Sequence, residues 1–175
     1  MRYSKPEELA NLTLKEHSET VEIDTSDECR LASLSMARQA ARSIDIVSRH
    51  LDPLVYDNRE FEEALSDLVV GSNRARVRIL VLQPDALVKQ GHRLLTLTQR
   101  LSSYMDMRVP AREHKDYNAA FMVVDDVGSI YRSHSDRYDG LVRFNDRVAA
   151  MELERQFEEM WTGAVTDANL RRTYL

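Results

Sequence analysis

The spacing of apolar residues predicts a series of helices that begins near residue 27. In four segments apolar side chains recur every three or four positions, the period of an amphipathic helix. Ser26 or Asp27, Asp57 or Asn58, and Asn145 or Asp146 are suitable N-caps for three of them. The predicted helices cover a segment from residue 27, residues 59–70, residues 84–103 with a weak point at Gly91, and a closing helix that ends at residue 161.

Between these helices the pattern changes to short apolar or alternating runs, which are typical of strands. The strongest is 76–82, which is stopped by Pro84. Residues 126–128 predict a turn that joins two strands into a hairpin. The predicted strands are 43–48, 76–82, 105–109, 119–124, 129–132 and 140–144.

The order of these elements predicts an α/β fold. Strands separated by helices favour right-handed crossovers and a parallel sheet, while the hairpin adds antiparallel strands. We therefore expect an α-β-α sandwich with a mixed, mainly parallel central sheet. Its domain spans residues 27–162, after a polar N-terminal arm (1–26) and before a C-terminal tail (163–175). Ligands collect at the carboxyl ends of parallel strands, where Arg49, His50, Gln83 and Arg108 are expected.

Composition limits the class of protein. The 175 residues are 43% apolar, and the single cysteine, Cys29, cannot form an internal disulfide, which indicates a reducing compartment. No apolar run is long enough to span a bilayer, and the amino terminus is too charged for a signal peptide. We expect a cytoplasmic protein. The five histidines lack metal-ligand spacing and no nucleotide-binding motif is present, so neither metal nor cofactor is expected.

Charge is distributed unevenly along the chain. The net charge of −5 is the sum of −7 for residues 1–73, +6 for residues 74–112 and −4 for residues 113–175. The acidic total and the scarcity of aromatic residues among the central cations make a nucleic-acid partner an unfavoured interpretation. The central basic segment, however, can supply a local anion site. Solvated surface charge is its simpler explanation.

The segment 118–135 resembles the signature of the phospholipase D superfamily, HxKxxxxDxxxxxxGSxN. Aligned without a gap, the motif aspartate falls on Asp125 and its serine on Ser133. The other four positions differ, because histidine, lysine, glycine and asparagine are replaced by Asn118, Ala120, Arg132 and Ser135.

The resemblance implies the fold and argues against the activity. Catalysis in that family uses the histidine as nucleophile, and the amide of Asn118 has no nucleophilic nitrogen. The family's lysine stabilises the phosphoryl oxyanion, and Ala120 carries no charge. Residues 27–162 are also similar to a group of small bacterial proteins with a degenerate domain of this kind, from which no activity follows.

Three functional hypotheses follow. The first is an inactive phospholipase D-like module that binds a phosphate-like or other anion through basic and hydroxyl side chains, namely Arg49, His50, His92, Arg93, Arg100, Ser103 and Arg132. The second is a structural or interaction protein, since single-motif relatives form homodimers across the motif face. The third is an enzyme of different chemistry that uses Asp125, His134 or His92, although no nucleophile and base can be paired from the sequence.

Overall fold

The structure, a computed structural model, describes residues 6–171. Within them the strands are β1 (Thr20–Ile23), β2 (Ser43–Ser48), β3 (Arg76–Val81), β4 (Met105–Arg108), β5 (Ala120–Val124), β6 (Gly128–Arg132) and β7 (Gly140–Arg143). The α-helices are α1 (Ser26–Gln39), α2 (Pro53–Tyr56), α3 (Arg59–Gly71), α4 (Asp85–Gln90), α5 (Arg93–Arg100), α6 (Arg147–Thr162) and α7 (Ala168–Arg171). Short 3-10 helices lie at Pro6–Asn11 and Arg112–His114.

These strands form one mixed sheet in the order β1-β7-β6-β5-β2-β3-β4. The predicted α/β class and mixed sheet are confirmed, but the sheet is mainly antiparallel. Only β2–β3 and β3–β4 are parallel, whereas the other four neighbouring pairs are antiparallel. The expectation of a mainly parallel sheet was wrong because β5 returns beside β2, and every strand beyond it is joined by an antiparallel pairing.

The sheet is covered by helices on both faces. In β2, Ile44 and Ile46 point into the larger core beneath α1, α3 and α5, while Val47 points into a smaller core beneath α6. Every residue of β2 is buried, because the strand is covered on both faces. Its one buried acid, Asp45, faces α6 and requires partners there.

Helix boundaries follow local capping. Thr25 and Glu28 form a reciprocal capping box at the start of α1, while Asn58 and Asp146 cap α3 and α6. The predicted helix over 84–103 is two helices, because Gly91 adopts a φ of +76° between them. The longest helix of residues 6–171, α6, has 16 residues, and none of their helices is long and apolar enough to cross a membrane.

The β5–β6 hairpin turns one residue earlier than predicted. Three residues, 125–127, separate the strands, and Asp125 and Asp126 have φ values of +53° and +58° in the left-handed region, while the amide of Val127 donates to the carbonyl of Val124 at 3.1 Å. Gly128 therefore lies within β6, opposite Val124.

The segment expected as a polar arm is part of the fold. Leu9 and Leu12 are buried, and β1 forms the outer strand beside β7 with Val21 and Ile23 in the core. At the other end, Val165 pairs with Val109 and Leu170 is buried. The remaining terminal residues, 1–5 and 172–175, lie outside the described residues.

Candidate functional site

The degenerate motif lies at the edge of the sheet where β2 ends and β5 begins, which we call the motif edge. Val47 of β2 pairs with Phe121 of β5, so the residues after β2 meet those before β5. Arg49 donates from Nη2 to the carbonyl of Tyr117 at 2.7 Å and from Nε to Ser135 Oγ at 3.3 Å. The amide of Ser135 donates to the carbonyl of Asn118 at 2.8 Å.

Arg132 places a guanidinium beside the position of the missing lysine. Ala120 and Arg132 are directly opposite each other on β5 and β6, so their side chains share one face of the sheet. Both residues are almost completely buried. Arg132 Nη1 donates to the carbonyls of Ser135 and Arg137 at 3.3 and 2.8 Å. Its positive charge is thus held inside the protein.

A carboxylate neutralises that charge. Asp52 Oδ2 lies 4.0 Å from Arg132 Nη1 and accepts a 2.7 Å hydrogen bond from the Tyr138 hydroxyl. The Arg132 guanidinium also lies 5.3 Å from the centroid of the Tyr138 ring. Burial and the hydrogen bond to Asp52 raise the pKa of Tyr138 to about 12, so its hydroxyl keeps the proton. Burial raises the pKa of nearby Cys29 to about 11, which leaves an unreactive thiol.

Gly140 provides room for the Arg132 side chain. A Cβ at position 140 would lie 2.5 Å from the carbonyl oxygen of Tyr131 and 2.9 Å from Arg132 Cγ. The motif glycine has been replaced by arginine, and a glycine on the neighbouring strand accommodates the larger residue.

Substituting Gly140 should therefore destabilise the protein. We expect Gly140→Ala to lower the free energy of unfolding by about 1–3 kcal/mol, because the clash is with backbone. Urea unfolding measures this, with Gly71→Ala as the matched control, since nothing lies within 4 Å of a Cβ there. Equal stabilities for the two variants would show that Gly140 is not spatially constrained.

The motif aspartate lies at the opposite end of β5. The Asp125 carboxylate is 2% exposed and accepts hydrogen bonds from the amides of Ala41, Arg42 and Ser43 at 2.7–3.0 Å. It fixes the loop that leads into β2, and Lys15 Nζ lies 4.0 Å away. Asp125 is therefore a structural residue here, separated from Asn118 by the length of the strand.

The other predicted anion ligands do not come together. His92 caps α5, accepting from the amide of Leu94 at 3.1 Å, while its Nε2 lies 3.0 Å from the carbonyl of Leu51. Burial lowers the pKa of His92, which favours the neutral ring. Arg93 pairs with Glu62 at 3.3 Å. Arg100 and Ser103 precede β4 and lie at the other edge of the sheet.

Exposed motif residues border two open cavities. Ser133 Oγ lies 3.1 Å from His134 Nδ1 and faces a cavity of about 450 Å³ whose other lining residues include Glu22, Asp24 and Asp139. His50 borders a second cavity, of about 220 Å³. An acidic lining does not favour a phosphate substrate beside Ser133. Among residues 6–171, no group of three or more acidic, histidine or cysteine side chains could hold a metal ion.

A second buried polar cluster lies beneath α6. Arg78 Nε and Nη2 contact the two carboxylate oxygens of Asp45 at 2.8 and 3.1 Å, and Nη2 reaches Glu158 Oε1 at 2.6 Å. The guanidinium lies 4.7 Å from the Phe157 ring centroid. Glu154 Oε2 is 3.8 Å from Arg78 Nη2. Burial and the neighbouring Asp45 carboxylate raise the pKa of Glu154 to about 9, so this carboxyl is protonated at neutral pH.

Sequence reasoning missed the partners of these arginines. Asp52 is far from Arg132 in sequence, and Tyr138, although only six residues after Arg132, lies beyond the end of the motif. Asp45 and Arg78 did leave a signal, since each stands between two apolar residues of a central strand and such a buried charge requires an opposite charge.

Comparisons with known proteins give a family and a fold for this chain. Residues 25–173 match the family described as Domain of unknown function (DUF7931). No curated protein matches the sequence. NucT from Helicobacter pylori is similar in structure, with a TM-score of 0.60 and 15% identity over 86% of this chain and 100% of NucT. Nuc from Salmonella typhimurium, a phospholipase D family member, has a TM-score of 0.56 and 14% identity over 85% of this chain and 96% of Nuc.

A further similar structure comes from a larger protein. TrmBL2, an archaeal chromatin protein whose structure shows a novel mode of DNA binding, has a TM-score of 0.62 and 13% identity over 86% of this chain. The chain spans about half of TrmBL2, 54% of its length. These similarities show a phospholipase D-like fold, as the motif resemblance implied.

Proposed function

Because the chain belongs to the DUF7931 family of domains of unknown function and has a phospholipase D-like fold, we propose that it is a catalytically inactive module of that fold whose function is binding. The observation that supports this is the pairing of Ala120 with Arg132. The residue opposite the former lysine position supplies a positive charge, but Asp52 and two backbone carbonyls already occupy it.

The residues at the former histidine and lysine positions, Asn118 and Ala120, do not support phosphodiester cleavage by the family mechanism. Asn118 offers an amide, whose nitrogen lone pair is delocalised into the carbonyl and cannot attack phosphorus. Arg132 lies 4.0 Å from Asp52, so its charge is largely cancelled before any substrate oxyanion develops. Ser133 and the imidazole of His134 are in contact at an exposed position. Among residues 6–171, no carboxylate lies within ion-pair distance of this imidazole to orient it.

Arg49 is the residue of the motif edge best suited to hold an anion. Its described partners are a carbonyl and a hydroxyl, both uncharged, so its positive charge is not neutralised by an ion pair. His50 and Asn118 are exposed beside it. We therefore propose a small phosphate or carboxylate site at Arg49, with His50 and Ser135 as neighbours.

Titration with inorganic phosphate tests this site. We expect phosphate to shift the backbone amide resonances of residues 49, 50, 118 and 135, and Arg49→Ala to weaken that binding about tenfold or more, because hydrogen bonds to a charged group are the strong ones. Arg112→Ala removes an exposed arginine elsewhere and is the matched control. Shifts that spread over all arginines, or that persist unchanged in Arg49→Ala, would exclude the site.

The expected homodimer across the motif face stays a prediction. Of the aromatic residues available for such a contact, Phe121 and Phe144 are buried in the cores and Tyr138 is bonded to Asp52. Light scattering of the intact protein measures the oligomeric state directly.

A further inference from the structure

A row of arginines lies along the sheet edge opposite the motif edge. Because β2, β3 and β4 are parallel neighbours, the segments that lead into them meet at one edge. The Arg76 amide donates to the Arg42 carbonyl at 3.0 Å, which places the approaches to β2 and β3 side by side. We call this surface the basic edge, and it comprises Arg38, Arg42, Arg74, Arg76 and Arg100.

Most of the charge on the basic edge has no counter-charge. All five arginines are exposed, and among residues 6–171 the side chains of Arg38, Arg74, Arg76 and Arg100 make no ion pair. Arg42 has one partner, Asp126, at 3.4 Å. At the motif edge, by contrast, Arg93, Arg132 and Arg137 each face a carboxylate, whereas Arg49 is bonded to uncharged groups.

Helix dipoles explain the placement of only two of the five arginines. Arg38 and Arg100 lie in the last turns of α1 and α5, where cations offset the negative end of the helix. Arg42, Arg74 and Arg76 lie outside any helix. The basic edge therefore carries positive charge beyond what the helix ends require, in a chain whose net charge is −5.

We propose that the basic edge binds the phosphodiester backbone of a nucleic acid. Guanidinium groups bind phosphate oxygens in bidentate geometry, and an extended edge of them matches a repeating anion better than a single small one. Neighbouring strands are about 4.8 Å apart, so the starts of β2, β3 and β4, beside which these arginines lie, span on the order of 10 Å. All five side chains are guanidinium groups, so the proposed contacts are to phosphates, which carry no sequence information.

Fluorescence anisotropy with a labelled single strand and a duplex, each of about 20 nucleotides or base pairs, tests the proposal. With about four phosphate contacts, affinity should fall about 100-fold between about 50 and 200 mM salt. Arg74→Glu/Arg76→Glu should weaken binding at least tenfold and reduce the salt slope by about two. Arg59→Glu/Arg155→Glu makes the same charge change on exposed residues elsewhere and should retain more of the affinity.

The urea midpoint of each variant shows whether it is folded, and Arg74→Gln/Arg76→Gln provides a milder change. Absence of binding to either nucleic acid at about 50 mM salt would overturn the proposal. So would equal losses in the two charge-reversed variants, which would indicate an effect of net charge. Binding to heparin with none to nucleic acid would assign the surface to a different polyanion and would also overturn it. The outcome is independent of phosphate binding at Arg49.

Discussion

Replacement of Arg78 by methionine should lower the free energy of unfolding by about 3–5 kcal/mol, the usual cost of removing one partner from a buried ion pair. Asp45 has no solvent exposure and depends on Arg78 for both of its carboxylate oxygens. Methionine keeps much of the contact with Phe157 but leaves Asp45 charged and unpaired. The measurement is urea unfolding at neutral pH.

Arg59→Met is the control, because Arg59 is exposed and its surface ion pair with Glu63 contributes little to stability. Adding Asp45→Leu to Arg78→Met should recover part of the loss, since the uncompensated charge is then removed. A loss of less than about 1 kcal/mol in Arg78→Met would mean that Asp45 is hydrated in solution, and that α6 does not seal this face of the sheet.

Stability should also fall as the pH rises towards 9, through Glu154. In the unfolded chain this carboxyl loses its proton near its ordinary pKa of 4.5, whereas the folded protein retains the proton until about 9. The folded state therefore binds one proton more in this interval, and the contribution is complete below pH 4.5 and lost as the pH passes 9. The slope from this one group is at most about 1.4 kcal/mol per pH unit.

Glu154→Gln isolates this effect, because an amide of the same shape stays neutral at every pH. Urea unfolding between pH 6 and 9 should show wild type losing stability relative to Glu154→Gln as the pH rises. Glu159→Gln, at an exposed position of the same helix, should change in parallel with wild type. If Glu154→Gln also runs parallel to wild type, the Glu154 carboxyl is ionised in the folded protein.

The sequence predicted the middle of the fold better than its ends. The buried strands β2 and β3 and the capped helices α3 and α6 were identifiable because local pattern and tertiary burial agree there. Four-residue β1 was missed, since its identity depends on pairing with β7, more than 100 residues later. The parallel content was overestimated for a related reason, because no local signal shows that β5 returns beside β2.

The position of the candidate site was predictable from the sequence, but the contacts of its side chains were not. Motif spacing placed Asn118, Ala120 and Arg132 at one edge of the sheet, and the pairing of Ala120 with Arg132 agrees with a guanidinium near the former lysine position. The sequence could not show that Asp52 and Tyr138 contact the Arg132 guanidinium, or that Gly140 leaves room for the Arg132 side chain. Asp125, retained in the motif, serves the opposite end of the strand, so its retention indicates fold rather than chemistry.

The basic segment of residues 74–112 was divided by the fold. Arg74, Arg76 and Arg100 lie at the basic edge, while Arg93 and Arg108 lie towards the carboxyl ends of the strands. The basic segment thus contributes to two different surfaces. Its arginines therefore do not form one anion site.

The central claim is that this phospholipase D-like domain does not cleave phosphodiesters. Its most direct test is the release of p-nitrophenolate from bis(p-nitrophenyl) phosphate by the intact, purified wild-type protein, with His50→Ala and His134→Ala assayed beside it. We predict that all three proteins match the rate in buffer alone. Turnover by wild type that disappears in either histidine variant would contradict the account, since it would assign catalysis to a residue of this chain.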